Sequence, residues 1–186
     1  MRIVVAMTGA SGALYTQRLL DNLDPQQHEL HFISTRHARE VAQLELPKGE
    51  LKLDPRVIQY DENGSMFVPF VSGSAKFDAM VIIPASMGTI GRLAHGVSDS
   101  TIARAGDVFL KERRKLILVP REAPYNLIHL RNMTTLTEAG ATIIPASPSF
   151  YSKPKTLTDA VDTIIARVLD HLGVEHKLVK RWQGAD

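Results

Sequence analysis

"RIVVAMTGASGALY", residues 2–15, changes character at its midpoint. Its first half is a nearly continuous apolar run rich in β-branched residues, the pattern of a strand covered on both faces. Gly9 and Gly12 then permit a tight turn and close backbone approach, and from Ala13 onward the spacing becomes helical. A helix that starts directly after such a turn points unpaired amides and a positive dipole end outward, which suits a phosphate. The dinucleotide fingerprint G-x-G-x-x-G is absent, and a P-loop would need a Gly-Lys-Ser/Thr that the turn lacks. A bare turn without ligand competes with a mononucleotide site, and the mononucleotide is the preferred expectation.

The same alternation runs along the rest of the chain. Strands are expected at Ile3–Met7, Leu30–Ser34, Met80–Ile83, Leu116–Val119 and Thr142–Ile144, and helices at 13–23, 36–44, 88–96, 99–113, 126–138 and 158–172. This order predicts an α/β fold: one Rossmann-like (flavodoxin-like) domain over residues 1–186, with a doubly wound, mostly parallel sheet and helices on both faces. Sheets of this kind bind ligands outside the carboxyl ends of their strands, where the strand order reverses. Residues 46–78 break the rhythm, with only a short strand expected at Val57–Tyr60. Phe67, Phe70 and Val71 give this long segment something to bury.

Composition narrows the classes of function. The chain of 186 residues is 44% hydrophobic and 23% charged, with a net charge of +2. Length of this order lets one domain bury roughly 70% of its unfolded surface. The basic residues are scattered, which argues against a nucleic-acid footprint. "KERRK" (111–115) is the exception, read as a solvated helix end. There are no cysteines, so disulfides, thiolate nucleophiles and sulfur metal sites are excluded. A strand beginning at residue 2 leaves no room for a signal peptide, and no apolar run reaches membrane-spanning length, so a cytoplasmic location without membrane contact is expected. The seven histidines form no metal-binding spacing, and no G-x-S-x-G elbow is present.

The strand ends carry the chemistry. Strand one ends in "TGASG" and strand two at Ser34–Thr35, where the Thr35 hydroxyl caps the next helix or contacts a ligand. Strand three ends in "PASMGTI": Pro84 is expected to stop the strand, with Ser86 and Thr89 offering hydroxyls at a helix start. The fourth, "LILV" (116–119), opens onto Arg121 and Glu122, and the fifth leads through "PASPSFY" to Tyr151. Together these describe an anion pocket with a titratable carboxylate: Arg121 brings a planar donor fork and Glu122 an acid or base. Lys111 is either solvated or reaches the pocket; spacing does not choose. On the last helix an apolar stripe at 161, 164, 165, 168 and 172 leaves Arg167 facing solvent or a neighbouring copy.

At these residues the chain resembles the UbiX-type flavin prenyltransferases, formerly described as aromatic-acid decarboxylases. The stretches that carry the resemblance are "MTGASGALY", "SGS" (72–74), "PASMGTI", "RAGDVFLKERRKLILVPREAPYNLIHLRNM", "GATIIPASPSFY" and the terminal "KRWQG". Two departures are visible: Ala85 where the family commonly has cysteine, and Thr35 where it has serine. The resemblance implies metal-independent transfer of a dimethylallyl group from dimethylallyl monophosphate to N5 and C6 of reduced FMN. It further implies a flavin reductase as supplier, a UbiD-type decarboxylase as recipient, and a homododecamer with sites between subunits. It places cofactor contacts on Gly9, Ala10, Ser11, Thr35, Ser86, Met87, Gly88, Thr89 and Arg121. The substrate phosphate falls to Lys111, Arg121, Glu122 and Tyr151, with Arg167 from a neighbouring subunit. Catalytic roles fall to Glu45, Lys111, Glu122 and Tyr151, with Glu122 giving a proton to the departing phosphate and Glu45 assisting later proton transfer at the flavin.

Two other functions compete. "PASMGTIGRLAHGVSD" also looks like a segment of FMN-dependent peptidyl-cysteine decarboxylases, but residues 46–78 lack the histidine that class uses. A flavin-storing protein without chemistry is the other, and it would have no use for a second phosphate pocket.

Overall fold

The computed structural model describes residues 1–62 and 64–180; of the terminal "KRWQG", all but Lys180 lies outside the described residues. Six strands form one all-parallel sheet: β1 (Arg2–Met7), β2 (Glu29–Ser34), β3 (Ile58–Asp61), β4 (Ala79–Ala85), β5 (Lys115–Pro120) and β6 (Thr142–Ile143). Their spatial order is β3-β2-β1-β4-β5-β6. The chain therefore winds outward from β1 in one direction, returns to β4, and winds outward in the other. Between β1 and β4 the order reverses, and a crevice opens at their carboxyl ends.

The central strands are buried on both faces, as their unbroken apolar runs require. Ile3, Val4, Val5 and Ala6 of β1 and Met80, Val81, Ile82 and Ile83 of β4 are fully buried. Alternate residues feed two cores: Ile3, Val5, Val81 and Ile83 pack with one layer of helices, and Val4, Ala6, Met80 and Ile82 with the other. Among the described residues, six helices supply those layers: α1 (Ala13–Asp21), α2 (Arg36–Glu45), α3 (Met87–Ala94), α4 (Thr101–Lys111), α5 (Leu127–Glu138) and α6 (Leu157–Leu172). Their starts are written locally. Thr35, Ser86, Ser100, Asn126 and Thr156 each cap a helix through the side-chain oxygen, and Thr156 and Asp159 complete a capping box. The α6 stripe is buried as expected, from Val161 to Leu172.

Three expectations change. Pro84 does not stop its strand: β4 continues to Ala85, with an irregular register against β5 between Ile82 and Ala85. Proline brings no N–H to the ladder, but its carbonyl accepts from both the amide and the hydroxyl of Thr8, at 3.2 and 2.7 Å. The described residues between 46 and 78 include β3 and a short 3-10 turn (Pro69–Val71), yet only Phe70 of the expected trio is fully buried, while Phe67 is 99% exposed. The basic run is not wholly solvated either, because Arg114 donates to the carbonyl of Ala75 at 2.7 Å and also to that of Gly73.

Candidate active site

The crevice has a volume of about 550 Å³ and is walled by Thr8 and Gly9 after β1, Thr35 and His37 after β2, and Ser86 and Thr89 after β4. Arg92, Asp99 and Ser100 close its far side. Gly9 lies where no side chain fits: a Cβ there would stand 2.7 Å from the Cβ of His37. Gly12, at φ +124°, takes a conformation that favours glycine. Between them, the amides of Gly9, Ala10 and Ser11 have no hydrogen-bond partner among the described residues. Gly9 lines the crevice directly, and the other two open donors follow it in the same turn.

The hydroxyls form a connected set. Thr8 Oγ1 donates to Pro84 and accepts from the Ser86 amide at 2.7 Å. Ser86 Oγ accepts from the Thr89 amide at 3.4 Å and lies 3.0 Å from Thr89 Oγ1. Thr35 Oγ1 accepts from the Ala38 amide at 3.0 Å. Capping uses its lone pair and leaves the hydroxyl proton to donate, so capping and ligand contact are compatible. Met87 and Gly88 open α3 beside this set.

On the other flank of the β1 turn, Arg121 Nε donates to the Ser11 carbonyl at 3.1 Å, which brings the end of β5 against the start of α1. Glu45, the last residue of α2, joins them. Its Oε2 accepts from the amides of Gly12 and Ala13, both at 2.8 Å. The first amides of α1, which would suit a phosphate, are thus already held by a carboxylate. Burial opposes ionisation of Glu45, but the Ser11 side chain, the Ala13 and Gly12 amides and the Arg121 charge outweigh it and hold its carboxyl below the ordinary 4.5. Tyr15 packs nearby, its hydroxyl 3.4 Å from the Ala146 carbonyl; burial raises its pKa, and Arg121 opposes this. Glu122 accepts from the Ala123 amide at 3.1 Å.

Not every expected residue meets at this edge. Lys111 ends α4, four residues before β5 begins, and so lies at the amino-terminal edge of the sheet, opposite the crevice. There its ammonium pairs with Glu112 beside the Ser72–Ser74 loop. Within one chain it reaches no pocket with Arg121 and Glu122, because α4 starts at the crevice and carries Lys111 two to three turns away. Arg167 lies in the third turn of α6, exposed and paired with Asp170 at 3.1 Å. Tyr151 is also exposed. Thr8, His37, Arg92, Asp99 and Ser100 line the crevice without having been expected there. Thr8 immediately precedes Gly9 in sequence, and its hydroxyl, which bonds Pro84 and the Ser86 amide, is a signal adjacent to the glycine turn.

Comparison with known proteins agrees with this architecture. A family model described as Flavoprotein matches residues 1–169. The flavin prenyltransferase UbiX of Methanocaldococcus jannaschii is 44% identical, covering 98% of each chain. That of Pseudomonas aeruginosa is 43% identical, covering 97% of this chain and 93% of its own. Among solved structures, AnUbiX (PadA1) in complex with FMN and dimethylallyl pyrophosphate superposes with a TM-score of 0.91 at 38% identity, covering 100% of this chain and 98% of its own. A dodecameric FMN-dependent UbiX-like decarboxylase from Escherichia coli O157:H7 gives 0.90 at 38%, covering 99% and 100%. The epidermin biosynthesis protein EpiD from Staphylococcus aureus and the FMN-dependent cysteine decarboxylase SpaF, at 21% and 19% identity, share the fold alone. Matched over 97–98% of its length by flavin prenyltransferases 43–44% identical to it, the chain belongs to the UbiX flavin prenyltransferase family of flavoproteins.

Proposed function

We propose that this chain transfers a dimethylallyl group from dimethylallyl monophosphate to N5 and C6 of reduced FMN, using the crevice between β1 and β4. The observation that carries this is the meeting around one turn of three open amides (Gly9, Ala10, Ser11), the Thr35, Ser86 and Thr89 hydroxyls, and the Arg121 and Glu45 side chains, each bonded to that turn's backbone. Those groups fit a mononucleotide: a flat glycine floor, donors for ribityl and phosphate oxygens, and a cation at one flank. Reduced FMN supplies the nucleophilic ring positions.

The protein's own part is positioning and charge. An allyl phosphate that ionises gathers charge on its phosphate, and preorganised cationic donors stabilise that change. Arg121 offers a planar fork for it. Glu122 beside it gives a proton to the leaving phosphate, while Glu45, held anionic at the α1 start, accepts one near the flavin. Tyr151 completes the phosphate site, and Arg167 and Lys111 join it from other copies, since Lys111 lies at the far edge of its own sheet and Arg167 lies in the third turn of α6. The prenylated product passes to a UbiD-type decarboxylase, and a flavin reductase supplies the reduced cofactor. Phosphate release tests this function: dimethylallyl monophosphate should yield inorganic phosphate with reduced FMN and none with oxidised FMN. Equal release with both, or none with either, overturns it.

A further inference from the structure

The crevice holds a cation that neither the sequence motifs nor the resemblance assigns to the cofactor. Arg92 projects from α3 into the wall shared with Ser86, Thr89, Asp99 and Ser100. Only its Nε is engaged, by Asp99 Oδ2 at 3.2 Å; NH1 and NH2 have no hydrogen-bond partner among the described residues. The guanidinium lies along the first turn of α3, where a Cβ built on Gly88 would be in ordinary van der Waals contact with NH1 at 3.5 Å. The other crevice cations are differently placed. Arg36 pairs with Glu40 and is 75% exposed. Arg121 is tied to the Ser11 carbonyl on the opposite flank of the turn.

We infer that Arg92 is the phosphate-selecting residue of the flavin site, its free NH1/NH2 edge pairing with the 5′-phosphate of FMN while Asp99 holds its Nε. This rests on the proposed FMN-binding function and deepens it, because it says why the site would take FMN and not riboflavin. A phosphate near neutral pH carries more than one negative charge, whereas the hydroxyls and amides of the crevice are neutral. A guanidinium presenting two parallel donors gives the charge and the geometry together. The Arg92–Asp99 pair is itself half exposed, with side chains 48% and 54% accessible, so on its own it adds little to stability. Its orientation over the crevice is the more telling feature.

The test titrates FMN and riboflavin separately into flavin-free full-length protein, following quenching of flavin fluorescence, with no turnover required. Wild type should bind FMN far more tightly than riboflavin. Arg92→Met keeps the aliphatic stem and should weaken FMN about ten- to a hundredfold while leaving riboflavin within about twofold. Arg92→Lys should recover part of the loss, because the charge returns without the fork. Circular dichroism and melting temperature establish that the variants are folded. Unchanged FMN affinity in Arg92→Met overturns the inference, as does an equal loss for both flavins, which would make Arg92 a wall of the crevice only. Wild-type protein that binds both flavins equally also overturns it, while leaving flavin binding intact. Wild-type protein that binds neither brings down the proposed function and the inference with it.

Discussion

Glu45→Gln separates the charge at the start of α1 from the hydrogen bonds made there. The native carboxylate accepts from two amides at 2.8 Å, and glutamine keeps an acceptor oxygen of the same reach. What is lost is the charge, opposite a positive helix end and Arg121. A charge at an exposed helix terminus contributes about 0.3–1 kcal/mol, and charge-assisted bonds are about twice as strong as neutral ones. A loss of about 1–2 kcal/mol at pH 7 follows, or about 2–8 °C in Tm for a chain of this size. The sign with pH is fixed by linkage. Because the folded pKa lies below the ordinary 4.5, the stabilisation is fully present above that value and disappears as pH falls through the folded pKa. The assay is thermal unfolding of flavin-free wild type and Glu45→Gln at matched protein concentration, from pH 7 down to about pH 3. The Tm difference should be constant at neutral pH and close at the acid end. A difference that persists unchanged in acid, or none at pH 7, would show that Glu45 does not act as an anion on the α1 amides.

Three further outcomes follow from other contacts. Gly9→Ala should weaken FMN by at least about tenfold in a fluorescence titration, since a Cβ at 2.7 Å from His37 can be accommodated only by shifting the α2 start. Asp162→Ala should cost about 2–3 kcal/mol in denaturant unfolding, because it removes two bonds of 2.8 Å from a largely buried pair joining α1 to α6 and leaves Arg18 only its longer contact with Asp21 at 3.4 Å; a loss under about 0.5 kcal/mol would class the pair with ordinary surface ion pairs. Glu122→Gln should bind FMN normally yet slow single-turnover prenylation by about two to four orders of magnitude, and a rate within a few-fold of wild type would leave Glu122 no part in proton transfer.

Most of the sheet was legible because its strands are buried on both faces and so read as unbroken apolar runs. Five expected strands match within three residues at either end, and the short one at Val57–Tyr60 corresponds to Ile58–Asp61. Helix starts were legible through local chemistry, as Thr35 and Ser86 show by capping α2 and α3. Contacts made across the chain were not. Nothing near Glu45 in sequence says that its carboxylate reaches Gly12 and Ala13, more than thirty residues away. The place of Lys111 was within reach of the topology. In a parallel sheet, residues just before a strand sit at the amino edge and those just after it at the carboxyl edge. Lys111 and Arg121 flank the same strand and so must lie at opposite ends. Arg92 was not legible because a single arginine inside "GTIGRLAHG" carries no motif; its place in the crevice wall beside Asp99 shows only in the fold.

Anaerobic incubation of the purified protein with chemically reduced FMN and dimethylallyl monophosphate, followed by mass analysis of the released flavin, tests prenyl transfer most directly. The account predicts a flavin heavier by one dimethylallyl group replacing hydrogen, formed only when protein, reduced FMN and the allyl monophosphate are all present. Recovery of unmodified FMN from protein that demonstrably binds it would contradict prenyl transfer and leave a flavin-binding protein without this chemistry.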